Sequence, residues 1–380
     1  MQTWRKWREQ VEREGMHFAA APEYQVFPTR ERPLKPYEAA VRAAKESQPL
    51  FRELEPDVVV ADIITVAASL TAQMEGRPCA TIVPHVLPTH EAGFPPYSIG
   101  AGLPRTRLGS MAWQAARPIT SAGERKGQQE LNGARERVGL PPLDRLHGGI
   151  SRQLTIVATF PQLEYPRHDW HPSVRVTGPL LWEQPYPPTE PPPGDEPLVL
   201  VAPSTSQDPK QRMLRAALEG LAGEPVRVLA TTNRRPPPEP LDVPANAKLV
   251  DWLSYAGEMP RCQAVVCHAG HGTVARALAS GVPVVACPAA GDMGENAARV
   301  AWAGAGVSVP RRLTTPRGIR LAVRRVLSDV DLARTATALA DWARDHDGAT
   351  IAADAVEAMT TGGPHGVYAT RIPCRDEPSF

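Results

Sequence analysis

The sequence predicts an α/β protein of two lobes, each a doubly wound parallel sheet covered by helices, facing each other across a cleft. Three observations lead there. Short β-branched runs alternate with helical stretches through most of the 380 residues, the pattern of repeated strand–helix–strand units. The runs are near-continuously apolar instead of alternating, the mark of strands covered on both faces. A proline-rich break at 183–197 (EQPYPPTEPPPGDEP) divides the series in two, because such runs hold an extended geometry that no central strand or helix interior tolerates.

In chain order, residues 3–14 are charged and amphipathic and read as a helix, followed by another at 37–54. Strands are expected at 56–63 (PDVVVADI), 79–84 (CATIVP), 154–161 (LTIVATFP) and 175–181, with a helix at 64–76. After the break come strands at 197–204 (PLVLVAPS), 227–233, 247–253, 264–268 (AVVCH), 282–288 (VPVVACP) and 306–310. Helices at 211–221, 273–280, 295–303 and 317–327 alternate with them. Residues 331–359 are Ala-rich with a helical period, and the tail from 360 to 380 reads as loosely ordered. The expected division is a first lobe over 1–182, a linker over 183–197, a second lobe over 198–345, and a C-terminal helix and tail over 346–380.

Lys+Arg number 42 and Asp+Glu 41, a net charge of +1. Nucleic acid or an anionic membrane as main partner would call for a strong positive field, so neither is expected. No run approaches eighteen apolar residues, so no spanning helix is expected, and the charged N-terminus is not a signal peptide. The five cysteines (79, 262, 267, 287 and 374) form an odd set without a CxxC pair. Four lie in or beside apolar runs and read as reduced core thiols of a cytoplasmic protein.

The most informative stretch runs from 264 to 299. A buried strand enters His268-Ala269-Gly270-His271-Gly272-Thr273 and then a helix. Glycines here allow a sharp turn and close approach of a ligand. The new helix offers unpaired N–H groups and the positive end of its dipole, a ready anion site. The dipole contributes about 0.3–1 kcal/mol, and charge-assisted hydrogen bonds roughly 1.5–3 kcal/mol each. Three readings compete with a diphosphate site. His268 and His271 form HxxH, but no nearby Cys or carboxylate has zinc spacing, so no metal is expected. Gly270-x-Gly272-x-x-Ala275 fits a dinucleotide fingerprint, yet Asp292 lies beyond the strand end where the ribose contact belongs. Packing alone would explain the glycines, but not a second polar loop after the following strand.

The run from 246 to 299 resembles the nucleotide-sugar signature of UDP/dTDP-dependent glycosyltransferases with the two-lobed GT-B fold. It is especially similar to the bacterial enzymes that glycosylate macrolides and other secondary metabolites. The resemblance implies a donor lobe over 198–345 and an acceptor lobe over 1–182. It also implies a role for each matching residue. Trp252 would border the nucleobase, with the Leu253 backbone reading its edge; a core aromatic is the plainer reading of Trp252. His268 would donate to the diphosphate, backed by Gly270, Gly272 and Thr273. Asp292 would accept donor-sugar hydroxyls and Asn296 would lie near the phosphates. Ser204 and Thr205 stand where the family touches the diphosphate, and a local turn or helix cap explains them equally well. Two positions depart from the family pattern. Arg276 replaces a ribose-binding Glu, to pair with phosphate or simply be solvated, and Met293 replaces a sugar-binding Gln, which suits a deoxysugar.

Inverting transfer needs a base for the acceptor hydroxyl and a stabiliser for the departing diphosphate. Asp62 matches the family's orienting Asp, with a cap on the helix at 64–76 as its plain reading. The family's catalytic His has no counterpart. The expectation is a first lobe lacking one βαβ unit of roughly 30 residues or more, which would leave apolar faces exposed, with a recorded start downstream of the true one favoured over genuine loss of the unit. His85 is the fallback base, with Asp62 as orienter. Residues 84–101 (PHVLPTHEAGFPPYSIGA) are apolar and suit an acceptor pocket; a packed loop would look similar. The arginines at 317, 320, 324 and 325 read as a solvated helix face.

The sequence therefore predicts an inverting glycosyltransferase with a nucleotide-diphosphate sugar as co-substrate, a hydrophobic small-molecule acceptor, and no cofactor or metal. Two alternatives stay open: a catalytically inactive donor-binding or helper protein, and an NAD(P)-dependent oxidoreductase.

Overall fold

Residues 1–24 and 36–361 are described by a computed structural model. The first lobe contains β1 (Gln2–Thr3), α1 (Arg8–Arg13), β2 (Ala19–Ala20), α2 (Pro36–Leu54), β3 (Val59–Asp62), α3 (Val66–Met74) and β4 (Cys79–Val83). It continues with α4 (Arg107–Thr120), α5 (Ala122–Arg137), β5 (Leu154–Val157) and β6 (Val174–Val176). The helix expected over 3–14 is shorter than that: β1 pairs with β2, and a 3-10 turn at Arg5–Trp7 precedes α1. β3, β4, β5 and β6 form a parallel sheet in that order. Its winding runs one way, as in one half of a doubly wound sheet. Among the described residues β3 has a single neighbour, and Val60 on it and Ile64 just beyond are 42% and 81% exposed.

The second lobe holds β7 (Leu198–Ala202), α6 (Arg212–Leu221), β8 (Arg227–Thr231), β9 (Ala247–Val250), α7 (Tyr255–Glu258), β10 (Ala264–Cys267) and α8 (His271–Ala279). Then follow β11 (Val284–Ala286), α9 (Met293–Ala303), β12 (Gly306–Ser308), α10 (Pro316–Ser328), α11 (Val330–Asp345) and α12 (Gly348–Thr360). The strand order is β12-β11-β10-β7-β8-β9, all parallel. This is the doubly wound arrangement, reversing direction between β7 and β10.

Strand periodicity explains why both faces of this sheet are covered. Leu198, Leu200 and Ala202 of β7 join Val274, Leu278, Val300 and Leu339 of α8, α9 and α11 on one face. Val199 and Val201 join Leu214, Leu218, Ile319 and Val323 of α6 and α10 on the other. The central runs β7, β8, β10 and β11 are buried because helices cover both faces, whereas β9 and β12 at the edges are less buried.

Three expectations need correction. The helical period over 331–359 is two helices, broken at His346-Asp347, where the Asp347 side chain accepts from Ala349 N–H at 3.0 Å and caps α12. The C-terminal helix is not a separate unit. Ala352, Ala355, Val356 and Met359 of α12 pack against Ala80, Leu154 and Ile156 of the first lobe. Arg276, expected to pair with phosphate or be solvated, is largely shielded from solvent: it donates to the Leu181 carbonyl and lies 3.7 Å from Glu183 of the linker.

The linker at 183–197 carries no helix or strand and rests on the second lobe, with Ala256 N–H donating to Glu183 at 3.0 Å and Thr189 N–H to Glu258 at 2.6 Å. Cys79, Cys262, Cys267 and Cys287 are buried and unpaired; Cys374 and the tail beyond 361 lie outside the described residues. Among the described residues no helix is long and apolar enough to cross a membrane.

Candidate active site

At the reversal point, β7 and β10 run side by side and their carboxyl ends open together. Open α/β sheets bind ligands there, because the helices leave in opposite directions and vacate a crevice. Ser204 follows β7 and His268 follows β10. The Ser204 N–H donates to His268 Nδ1 at 2.9 Å. Nδ1 is therefore the lone-pair nitrogen, and the ring proton sits on Nε2. Nε2 lies 3.2 Å from Asp208 Oδ2. Burial, the larger influence, lowers the His268 pKa, while Asp208 opposes it. The result is a neutral imidazole with a fixed N–H donor.

The chain then enters α8 with Gly270 at its N-cap and no side chain capping the first turn. A Cβ on Gly270 or Gly272 would meet nothing within 4 Å, so bare backbone faces open space. The first amides of α8 stay available to an anion. The sharp turn expected of the glycines is made by Ala269, whose φ is +60° and whose side chain is buried in the core. Thr273 sits in the first turn of α8, half-buried. Asn296 Nδ2 donates to the Ala269 carbonyl at 3.0 Å and lies 3.3 Å from Asp292 Oδ2, tying the start of α9 to the start of α8.

Ser204, His268, Gly270, Asp292 and Asn296 are thus joined in one patch. Ser204 Oγ also accepts from Ser206 and Gln207 N–H, the local turn weighed above; Thr205 is exposed. Trp252 and Leu253 follow β9 at the far edge of the sheet. The Arg234 guanidinium lies 4.5 Å from the Trp252 ring centroid, and Leu253 is core. Met293 is core as well.

Across the cleft, Asp62 and His85 do not pair. Asp62 Oδ1 accepts from Ile64 N–H at 2.8 Å, forming a turn ahead of α3, so it is not that helix's cap either. His85 Nδ1 lies 2.7 Å from the Val86 carbonyl and 3.1 Å from the Tyr97 hydroxyl. A carbonyl only accepts, so Nδ1 carries the proton and Nε2 keeps its lone pair. A backbone carbonyl does the orienting expected of Asp62. The loop at 84–101 is packed, with Val86 and Leu87 buried.

The same loop reaches the other lobe. Ser98 Oγ donates to the Gly291 carbonyl at 2.6 Å, and Gly100 packs on Gly294, where an added Cβ would come within 3.2 Å. His271, a candidate metal ligand by its HxxH spacing, spans the cleft instead: its Nε2 is 3.2 Å from the Ala158 carbonyl. Burial first, then His85, pushes its pKa down to about 4. Asp208 also escaped the sequence reading, since its partner His268 lies 60 residues away.

Residues 216–359 match the family model described as erythromycin biosynthesis protein CIII-like, C-terminal domain. The chain is 32% identical over 321 residues to 4'-demethylrebeccamycin synthase of Lentzea aerocolonigenes, covering 82% of this chain and 75% of that one. The chain belongs to the GT-B glycosyltransferases of the bacterial natural-product type. Solved structures share the fold of this glycosyltransferase. The kitacinnamycin glycosyltransferase superposes with a TM-score of 0.74 at 20% identity, covering 94% of this chain and 90% of that one. The spinosyn rhamnosyltransferase SpnG, solved with thymidine diphosphate, gives 0.62 at 16% identity, covering 92% and 89%.

Proposed function

We propose that this glycosyltransferase moves a sugar, with inversion, from a dTDP- or UDP-sugar to a hydroxyl of a hydrophobic small molecule. The observation that carries the reading is the His268 Nε2–H beside the uncapped start of α8, a neutral donor and a helix end at one crevice. From Trp252 past His268 to Asp292 the patch crosses four strand spacings, roughly 19 Å, in the order nucleobase, diphosphate, sugar. SpnG binding thymidine diphosphate on the same fold supports the donor class.

In the step itself the acceptor oxygen attacks the anomeric carbon while the bond from that carbon to the diphosphate breaks. The acceptor proton passes to His85 Nε2, whose lone pair is held ready by the Nδ1–H bond to Val86. The charge gathering on the diphosphate falls to His268 Nε2–H and the α8 amides. Binding and turnover are tested separately. dTDP or UDP is expected to raise the melting temperature, and His268→Ala to weaken that nucleotide about tenfold or more. His85→Ala is expected to lower turnover about 100-fold or more at unchanged nucleotide affinity. NADH binding without any response to either nucleotide would sink the proposal. Nucleotide binding without turnover would leave a donor-binding protein.

A further inference from the structure

Behind His268 lies a cavity of about 550 Å³, formed by the loop between β7 and α6, the loop after β11, and the segment leading into α10. Its charge is one-sided. Lys210, Arg212, Arg311 and Arg312 line it, and among the described residues none of the four has an ion-pair partner. Asp208 is the one carboxylate in the lining. Its Oδ2 faces His268 Nε2 at 3.2 Å and also accepts from Met213 N–H at 3.1 Å. That carboxylate holds the donor that a phosphate oxygen would take. Four cations around one recess raise the local concentration of anions, and a resident carboxylate is the natural counter-ion while no other anion is bound.

We propose that the recess is the cationic seat of the donor's diphosphate, and that Asp208 is a displaceable counter-ion occupying it between turnovers. This rests on the donor reading above and adds to it four cationic residues and a gate. The incoming diphosphate replaces the Asp208 carboxylate at His268 Nε2–H, and Arg311 and Arg312 approach it from the side opposite α8.

Asp208→Asn isolates the charge, because the Asn carbonyl still accepts from Met213 N–H and keeps the start of α6 intact. Titration calorimetry with inorganic pyrophosphate and with dTDP compares the full-length protein, Asp208→Asn, and the Arg311→Gln/Arg312→Gln double variant. The expected result is that Asp208→Asn binds pyrophosphate about tenfold tighter and the double variant about tenfold weaker, the scale of one charge-assisted hydrogen bond. Both arginines are exposed, so the double variant should melt with the parent protein. Unchanged pyrophosphate affinity in either variant, while the parent binds dTDP, overturns the seat and its gate and leaves the donor reading standing. Weaker binding by Asp208→Asn overturns the gate, since Asp208 would then be helping His268 and not blocking it. A parent protein that binds neither pyrophosphate nor dTDP overturns the donor reading as well.

Discussion

His271 shows how a single residue can report on the contact between the lobes. Its imidazole reaches from the start of α8 to the Ala158 carbonyl of the other lobe, and burial holds its pKa near 4 against an ordinary 6.5. The unfolded chain takes up a proton at that position near pH 6.5, whereas the folded one does so only near pH 4. Stability is therefore undiminished above pH 6.5 and drains away as pH falls from 6.5 towards 4. His271→Asn is expected to flatten this part of the acid sensitivity, read as the difference in melting temperature between pH 7.5 and pH 5. A variant that loses as much stability on acidification as its parent would place the titration elsewhere. Ala269 is the other informative residue. A non-glycine at φ +60° carries backbone strain of about 1 kcal/mol or more, accepted at the point where β10 must swing into α8.

At the scale of elements, α9 is the joint between the lobes. Arg299 on it bonds Glu295 at 2.7 Å, donates to the Leu163 carbonyl at 3.2 Å, and lies 3.6 Å from Glu164, with its guanidinium over the Tyr165 ring. Glu164 and Leu163 belong to the first lobe and Glu295 to the second. The other oxygen of Glu295 accepts from Ser98 N–H at 3.3 Å. All three charged side chains are buried, so deleting one partner strands the others. Arg299→Ala is expected to cost about 3–5 kcal/mol, measured by denaturant unfolding. A loss within the range of exposed pairs, about 1 kcal/mol or less, would show that the joint does not hold the lobes. Asp292 starts this same helix, so the joint also sets where the proposed sugar-binding carboxylate stands.

Over the whole molecule, the site exists because two windings meet. β7 sends α6 to one face and β10 sends α8 to the other, and the crevice between them opens towards the first lobe. The chain then returns: α12 closes the first lobe by covering Ala80, Leu154 and Ile156. Ending the chain after Asp345 uncovers those side chains. It is expected to lower the melting temperature while leaving dTDP affinity within about threefold of the full chain, because the residues proposed to contact dTDP lie outside α12. Equal melting temperatures for the two lengths would show that the helix contributes no cover.

The order of the expected strands was legible because apolar runs flanked by helical periods are local signals, and each of those strands lies where its run does, whereas α4 and α5, which carry no such flanking run, were not expected. His268, Gly270 and Asp292, which the structure brings into one patch, also stood out in the sequence because each lies between a strand and the following helix, whereas Asn296 lies inside α9. Local patterns also concealed a good deal. The Asp347 cap was hidden inside a helical period, and the tightest turn fell on Ala269 although glycines surround it. Pairings between distant residues were decided only by folding: Asp208 with His268, His271 across the cleft, and α12 on the opposite lobe. Sequence carries propensity and burial, which depend on near neighbours. Which side chains meet depends on how two sheets and their crossovers are packed, and no local pattern encodes that.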